Sequence, residues 1–265
     1  MIQSELSYIA SSKSLKSEVK SILTVIILAM CIRTFFLELF YVPTGSMKAT
    51  ILEGDYIFST KYNYGYSIYS IPFSPNIFEG RIFASEPKLG DVVIMRPPHD
   101  MNLRYIKRLI GMPGDKIQLI DDLIYINDEP IKRIEVGSYF DEQGKEYRKF
   151  KETLPSGCSY FSYKEKYPSK QYGVDHSNYG PHIVEAGNYF FIGDNRDNSG
   201  DSRYQLGTVP FKNFIAKAHF VFFSTGISLW ESNESFFGQI KRIGTWFSSI
   251  RFNRIFVNLY EPKTE

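Results

Sequence analysis

Leu-Arg-Tyr-Ile-Lys-Arg-Leu-Ile, residues 103–110, is a short apolar run that carries two adjacent cations and is closed by Gly-Met-Pro-Gly at 111–114. Short apolar runs bounded by Gly and Pro are typical of β strands. Similar runs lie on both sides of it, at Asp91–Met95, Lys116–Ile120, Leu123–Asn127 and Gly187–Gly193. Asp121-Asp122 separates two of these runs and predicts a hairpin turn. The sequence therefore predicts a mostly β chain from Gly54 onward.

Composition agrees with this fold class and argues against a nucleic-acid partner, a disulfide framework and a zinc site. The 265 residues include 22 Phe and 19 Tyr, which favour strands. A net charge of +2 is too small to indicate a nucleic-acid partner. The two cysteines, Cys31 and Cys158, lie far apart in different surroundings, so we expect free thiols with neither a disulfide framework nor zinc-ligand spacing.

The N-terminal region has the pattern of a membrane anchor. Lys13, Lys16 and Lys20 precede an apolar run at 22–32, which continues with bulky residues to Val42. An Ala-x-Ala-like cleavage site is missing, so a removable secretory signal is not indicated. We therefore predict an uncleaved transmembrane helix over 21–42, which the Pro43-Thr44-Gly45 sequence ends.

Orientation follows from the same residues. Basic residues before an anchor stay on the cytoplasmic side, which places 1–20 inside and the rest of the chain outside. Arg33 and Glu38 weaken the hydropathy of the anchor, and a buried amphipathic helix of a soluble protein is the alternative interpretation.

The rest of the chain divides by composition. Residues 43–127 and 186–226 contain the strand-like runs and are predicted to form one β domain. Residues 128–185 are polar and rich in Tyr and Lys, which predicts an inserted lobe, and 62–83 is a possible further insertion. In the tail, 227–265, apolar residues recur at steps of three and four, namely Phe236, Ile240, Ile243, Phe247 and Ile250. This amphipathic segment is predicted either to lie on a membrane surface or to pack against the β domain.

Ser46, in Pro43-Thr44-Gly45-Ser46-Met47, is a candidate nucleophile. Gly45 allows a ligand to approach the backbone closely at this turn. A serine hydroxyl needs a base, and the four histidines, His99, His176, His182 and His219, lie in segments that give no local support for a Ser/His/Asp triad.

Lys107 is the other candidate base. Strand alternation sends Lys107 and Arg108 to opposite faces, so at least one of them faces a partly buried side. Burial disfavours the ammonium form and lowers the pKa of a lysine, and the resulting neutral amine can accept a proton. The alternative is a half-buried structural lysine that pairs with a carboxylate or extends to solvent.

The segment Gly193–Arg203, Gly-Asp-Asn-Arg-Asp-Asn-Ser-Gly-Asp-Ser-Arg, follows a strand-like run and is dense in hydrogen-bonding side chains. Its spacing does not fit an EF-hand calcium loop. It is either a polar turn or a loop in which Arg and Asp pair and rigidify the support of a site.

Taken together and in this order, Pro43–Met47, Tyr105–Asp115 and Gly193–Arg203 resemble the motifs of the bacterial type I signal peptidases. The resemblance implies that Ser46 is the nucleophile and Lys107 the general base. It also implies that the Ser46 N–H and the Thr44 hydroxyl form the oxyanion hole. Thr44 stands where the family motif has Ser, and its hydroxyl keeps the role while its methyl restricts the rotamer.

Five further residues match the motifs in supporting positions. The resemblance implies that Ser199 orients the lysine amine and that Asp201 and Arg203 form an ion pair within the loop, with Gly193 and Arg108 also supporting. It implies a signal-peptidase-type β catalytic domain with an inserted lobe, and neither a metal nor a cofactor.

The expected substrates are preproteins whose signal peptides end in small residues at the first and third positions before the cut. The expected location is the cytoplasmic (inner) membrane, with the catalytic domain on the periplasmic face against the lipid bilayer. Two alternatives remain open: a self-cleaving repressor-like Ser/Lys peptidase, and a membrane-tethered binding protein on the same scaffold.

Overall fold

A computed structural model describes residues 2–167, 177–227 and 245–260, with side chains from residue 15 onward. The chain begins with the helix α1, Ile2–Phe35. Apolar side chains between Leu15 and Phe35 are exposed, with exposed fractions from 39% to 65%. Within the described ranges, no helix combines the length and the apolar character needed to cross a membrane.

The prediction of a helix up to Val42 is wrong at its C-terminal end. Residues Leu37–Tyr41 form the strand β1, which pairs antiparallel with β2, Asp55–Thr60. An apolar run of this length is ambiguous between helix and strand, and here the backbone pairing from Leu37↔Thr60 to Tyr41↔Tyr56 decides it. Pro43 and Gly45 consequently lie in the turn that joins two strands instead of ending a helix.

The largest sheet has seven strands, and the mostly β prediction is confirmed. Five further strands complete it: β3 (Val92–Met95), β4 (Tyr105–Gly111), β12 (Asn188–Ile192), β13 (Val209–Pro210) and β14 (Phe214–Ser224). Their order is β1-β2-β14-β3-β4-β12-β13. Strand β4 thus lies inside the sheet, between β3 and β12, which explains why its residues from Ile106 onward are buried.

A second sheet of four strands follows β4 in the chain. Its members are β5 (Lys116–Ile120), β6 (Leu123–Ile126), β7 (Glu129–Pro130) and β11 (Tyr179–Ile183), in the order β11-β5-β6-β7. The predicted hairpin is confirmed. Asp121 and Asp122 both have positive φ, 48° and 67°, the backbone that a two-residue turn between twisted strands requires.

The third sheet consists of β8 (Lys132–Phe140), β9 (Glu146–Thr153) and β10 (Ser159–Glu165), with β9 in the middle. It lies wholly within the predicted lobe, 128–185. Strand β11 lies in the same range but pairs with β5, so the sheets do not divide at the predicted boundaries.

The tail is only partly described. Phe236, Ile240 and Ile243 lie outside the described residues, as does His176. Phe247 is exposed in a short helical turn at 245–248. The following segment packs on the β domain: Leu259 is buried, and the Tyr260 hydroxyl donates to the Ala218 carbonyl at 2.7 Å.

Candidate active site

Ser46 lies in a turn, residues 44–50, between β1 and β2. The turn is closed by the Lys48 N–H, which donates to the Gly45 carbonyl at 3.1 Å, and by the Thr50 N–H, which donates to the Met47 carbonyl at 2.8 Å. Met47 is fully buried in an apolar cluster with residues of β3 and β4, such as Ile94 and Ile106. This packing fixes the neighbouring Ser46 relative to the sheet.

Lys107 reaches Ser46 from β4. Its Nζ donates to the Ser46 Oγ at 2.6 Å and to the Ile106 carbonyl at 3.2 Å. The side chains are enclosed, since Lys107 is 4% exposed and Ser46 is 8% exposed. Burial lowers the pKa of Lys107 to about 8, against the opposing effect of the carboxylates of Asp201 and Asp194. A sizeable fraction of this amine is therefore neutral near pH 8.

Arg108 points to the opposite side of β4. Its Nε and Nη2 donate to the two Asp194 carboxylate oxygens at 2.9 and 2.7 Å, and its Nη1 donates to the Gly90 carbonyl at 3.0 Å. The Thr50 hydroxyl donates to the same Asp194 carboxylate at 2.6 Å. Burial alone would lower the pKa of Arg108, but the ion pair with Asp194 raises it above its ordinary value. This pair links β4 to both the Ser46 turn and the 193–203 loop.

The 193–203 loop lies directly against the Ser46 turn. The Asn195 N–H donates to the Ser46 carbonyl at 3.1 Å, and the Asn195 Nδ2 donates to the Gly45 carbonyl at 2.9 Å. A Cβ on Gly193 would lie 2.6 Å from the Ser46 carbonyl oxygen and closer still to Ser199. Only glycine fits at this position, because any side chain would push the loop away from the turn.

Asp201 and Arg203 form the ion pair that the resemblance implies. Arg203 Nε and Nη2 each donate to the Asp201 carboxylate at 2.9 Å, and the Gly193 N–H donates to Asp201 Oδ2 at 2.9 Å. Burial alone would raise the pKa of Asp201, but Arg203 and the Gly193 N–H hold it below its ordinary value. The ionised carboxylate thus fixes the start of the loop.

Ser199 shares the site but does not bond to the lysine. Its hydroxyl lies beside Gly193 and faces the Asp201 carboxylate, without hydrogen-bond geometry to any described residue. Lys107 Nζ uses Ser46 and Ile106 as its acceptors instead.

A cavity of about 610 Å³ opens over these groups. Thr44, Ser46, Lys107 and Ser199 contribute polar atoms to its lining, and Thr44 is exposed at its rim. Much of the remaining lining is apolar: Phe40, Pro43, Leu103, Tyr105 and Ile106. The cavity is therefore suited to an apolar or small-residue peptide presented to Ser46.

The histidines take no part in this arrangement. His219 Nε2 lies 2.6 Å from the Thr60 hydroxyl, His182 lies 4.0 Å from Glu185, and His99 packs edge-on against Tyr105. None of these three described histidines contacts Ser46, so the structure gives no support to a Ser/His/Asp triad built from them.

Three residues of the 193–203 loop, Asp194, Asn195 and Arg196, form buried contacts that the sequence did not predict. Asp194 and Asn195 stand in the quoted loop, but nothing in the sequence said which partners they reach. Arg196 of the same loop forms a buried ion pair with Glu152 of β9, whose carboxylate also accepts from the hydroxyls of Tyr160 and Ser162, each at 2.8 Å. Glu152 lies in a polar stretch with several other charges and carried no distinguishing signal.

A serine hydroxyl hydrogen-bonded to a buried lysine amine beside a cavity of about 610 Å³ is an arrangement suited to a serine hydrolase. The family described as signal peptidase, peptidase S26, matches residues 15–223. The signal peptidase I of Rickettsia massiliae is 57% identical over 256 residues, which cover 94% of this chain and 95% of that protein. The signal peptidase I of Rickettsia akari is 58% identical over 253 residues, with 94% and 95% covered.

A crystal structure of a signal peptidase I from Enterococcus faecalis covers 50% of this chain and 97% of that chain, at 23% identity and a TM-score of 0.30. From the family match and the Rickettsia relatives, the chain belongs to the S26 family of signal peptidases and is a serine peptidase, a hydrolase. The resemblance drawn from the three motifs is confirmed. Membership supports the removal of signal peptides as the activity.

Proposed function

We propose that this chain is a membrane-bound endopeptidase that removes N-terminal signal peptides from exported preproteins with a Ser46/Lys107 dyad. The observation that carries the proposal is the 2.6 Å hydrogen bond from Lys107 Nζ to Ser46 Oγ, because it joins a nucleophile to a base of lowered pKa.

The chemistry is acyl transfer. The neutral Lys107 amine takes the proton of the Ser46 hydroxyl while Oγ attacks the scissile carbonyl carbon. The tetrahedral intermediate then collapses, and the Lys107 ammonium protonates the departing amine of the mature protein. Lys107 next takes a proton from a water molecule, which attacks the acyl carbon of the Ser46 ester. When the second tetrahedral intermediate collapses, the C–Oγ bond breaks, the Lys107 ammonium returns the proton to Ser46 Oγ, and the signal peptide leaves with a new carboxyl group.

The oxyanion of each tetrahedral intermediate needs donors beside Ser46. We assign this role to the Ser46 N–H and the Thr44 hydroxyl. Two features support the assignment: Thr44 lines the cavity next to Ser46, and the Ser46 N–H is not used in any hydrogen bond among the described residues.

The supporting residues hold Ser46 and Lys107 in place and take no part in the bond changes. Arg108 and Asp194 hold β4 to the Ser46 turn, while Gly193, Asp201 and Arg203 hold the loop that carries Ser199. Ser199 lines the same cavity as Lys107, and we assign it the role of orienting the lysine when substrate is bound. The β domain, residues 43–127 and 186–226, is thus the catalytic domain in this proposal. Residues 128–185 are the inserted lobe, supported by the three-stranded sheet within them.

Attachment to the cytoplasmic membrane is the second part of the proposal. The exposed apolar residues of α1 include neighbours such as Ile22 and Leu23 and the run 25–28, so they point to all sides of the helix. Lys13, Lys16 and Lys20 precede them, which favours an N-terminus inside and a catalytic domain on the periplasmic face. Vesicle flotation tests attachment: the full chain is expected to float with lipid vesicles, and a chain that stays with the soluble fraction contradicts it.

Cleavage of a full-length preprotein in detergent micelles tests the main proposal. The wild type is expected to release one mature fragment whose new N-terminus follows a small-x-small sequence. Ser46→Ala and Lys107→Ala are expected to be inactive because each lacks one member of the dyad. Lys132→Ala, at an exposed lysine of β8, is the matched control and should cut normally.

Three outcomes would contradict the proposal. Retained cleavage by Ser46→Ala would remove Ser46 as the nucleophile. A folded wild type that cuts no preprotein would favour the binding-protein alternative. Cleavage only within its own chain would favour the self-cleaving one.

A further inference from the structure

The cavity over Ser46 contains three charged side chains, Glu53, Arg104 and Lys107. Lys107 is bonded to Ser46. Arg104 donates to Glu38 at 2.9 Å, a carboxylate that also pairs with Lys61 and Arg33. Glu53 differs from both, because it is exposed and forms no ion pair with any residue that the structure describes.

The backbone of Glu53 is held firmly while its carboxylate is not. Gly54, with φ of 84°, donates its N–H to the Val42 carbonyl at 2.9 Å, and the Arg251 guanidinium donates to the Glu53 carbonyl. The nearest carboxylate, Asp55, takes the ion pair with Arg254 at 2.6 Å. Arg251 thus holds the backbone of Glu53 and lies close enough to feel its charge, but it forms no ion pair with the Glu53 carboxylate.

The Glu53 carboxylate lies directly over the residue before the nucleophile. A Cβ on Gly45 would be 2.8 Å from Glu53 Oε1 and 3.9 Å from Asn198 Nδ2. A peptide bound with its scissile carbonyl at Ser46 Oγ lies in the cavity that Gly45 and Glu53 also line. The Glu53 carboxylate is therefore within the space that such a peptide enters.

We propose that Glu53 is a specificity-determining residue, whose carboxylate binds a lysine or arginine side chain of the preprotein close to the scissile bond. The proposal rests on the proposed function. An exposed carboxylate that has no ion-pair partner attracts a cation of the substrate and repels an acidic side chain. The first and third positions before the cut take small residues, so the cation belongs to the second position before the cut or to the first two positions after it.

The test uses full-length enzyme and one preprotein in nine versions, with Lys, Gln or Glu at each of these three positions. The measured quantity is kcat/KM for each version, expressed as the Lys-to-Gln and Gln-to-Glu ratios. At one position at least, the wild type is expected to prefer Lys over Gln by about 1.5-fold to fivefold, the range for one exposed ion pair. Raising the salt concentration should reduce this preference.

Variants at the same residue decide whether Glu53 is the cause. In Glu53→Gln the Lys-to-Gln ratio is expected to fall to about one, and in Glu53→Lys the order should reverse so that Glu is cut best. Glu129→Gln, at an exposed glutamate of β7, is the matched control and should keep the wild-type ratios. Thermal unfolding shows that each variant is folded, and the ratios do not depend on the amount of active enzyme.

A wild type without any preference among Lys, Gln and Glu would overturn the inference. Unchanged ratios in both Glu53 variants would overturn it as well. Both results require that the Gln versions are cut. If the proposed function itself fails, the wild type cuts no version at all, so the two kinds of failure can be told apart.

Discussion

Lys107 and Arg108 are neighbours on β4, are both buried, and differ in almost every other property. Lys107 has a hydroxyl and a carbonyl as partners, and burial lowers its pKa to about 8. Arg108 has a bidentate carboxylate partner, and its pKa lies above the ordinary value. The difference teaches that burial alone does not make a cation reactive. A buried cation becomes a base only where no carboxylate lies close enough to hold its proton.

The largest expected effect comes from replacing Lys107 by arginine, so that both neighbouring positions of β4 carry a guanidinium. Lys107→Arg replaces the amine by a guanidinium that stays protonated, so the dyad loses its base. Cleavage of a preprotein is expected to fall by roughly 1,000-fold or more, since general-base catalysis contributes about 10²- to 10⁴-fold and the larger side chain also disturbs Ser46. Single-turnover cleavage in detergent micelles measures the loss. Turnover near the wild-type rate would show that another group is the base.

A second prediction concerns stability on the Arg108 face. Asp194→Ala leaves Arg108 buried without its carboxylate, which is expected to cost about 3–5 kcal/mol of the free energy of unfolding. Denaturant unfolding of the full chain measures it. The control is Glu135→Gln, which removes the pair of Glu135 with Arg148, two side chains that are 46% and 48% exposed. That change is expected to cost at most about 1 kcal/mol. Equal losses in the two variants would mean that the Arg108 pair is not a structural support.

A third prediction concerns the pH dependence of cleavage. Because the neutral Lys107 amine is the active form in the proposed mechanism, kcat/KM is expected to rise about tenfold per pH unit below the pKa of Lys107, about 8, and to level off above it. A profile without an inflection between pH 7 and 9 would contradict the assignment of Lys107 as the base.

The free energy of unfolding also depends on the protonation of Lys107. The pKa of Lys107 is about 8 in the folded chain, against about 10.4 for an unperturbed lysine. Between these values the unfolded chain binds more protons than the folded chain. This residue therefore makes the folded state gain stability as pH rises from about 8 to about 10, with a constant penalty below that window. In Lys107→Met this contribution should be absent, which unfolding curves across the window can measure.

The sequence was sufficient for β4, the strands next to it in the chain and the hairpin, and it singled out Ser46 and Lys107, which the structure brings within 2.6 Å of each other. Gly and Pro bound the apolar runs, Asp121-Asp122 suits a tight turn, and the three motifs name Ser46 and Lys107. It was insufficient at Leu37–Tyr41, because an apolar run fits a helix or a strand until its pairing partner is known. It also gave no sign of Asp194 as the partner of Arg108, since the two residues are 86 positions apart. Long-range pairing of this kind depends on the whole fold.

The ion pair between Glu152 and Arg196 has a consequence for how this chain can evolve. Glu152 belongs to the middle strand of the three-stranded sheet, and Arg196 belongs to the loop beside Ser46. Loss of Glu152 alone leaves the Arg196 charge buried without its carboxylate, whereas loss of Arg196 leaves Glu152 with only the longer contact to Arg133 at 3.7 Å. The two positions are therefore expected to covary between lineages. The outer strand β8, which is mostly exposed, is free to drift in sequence and in length.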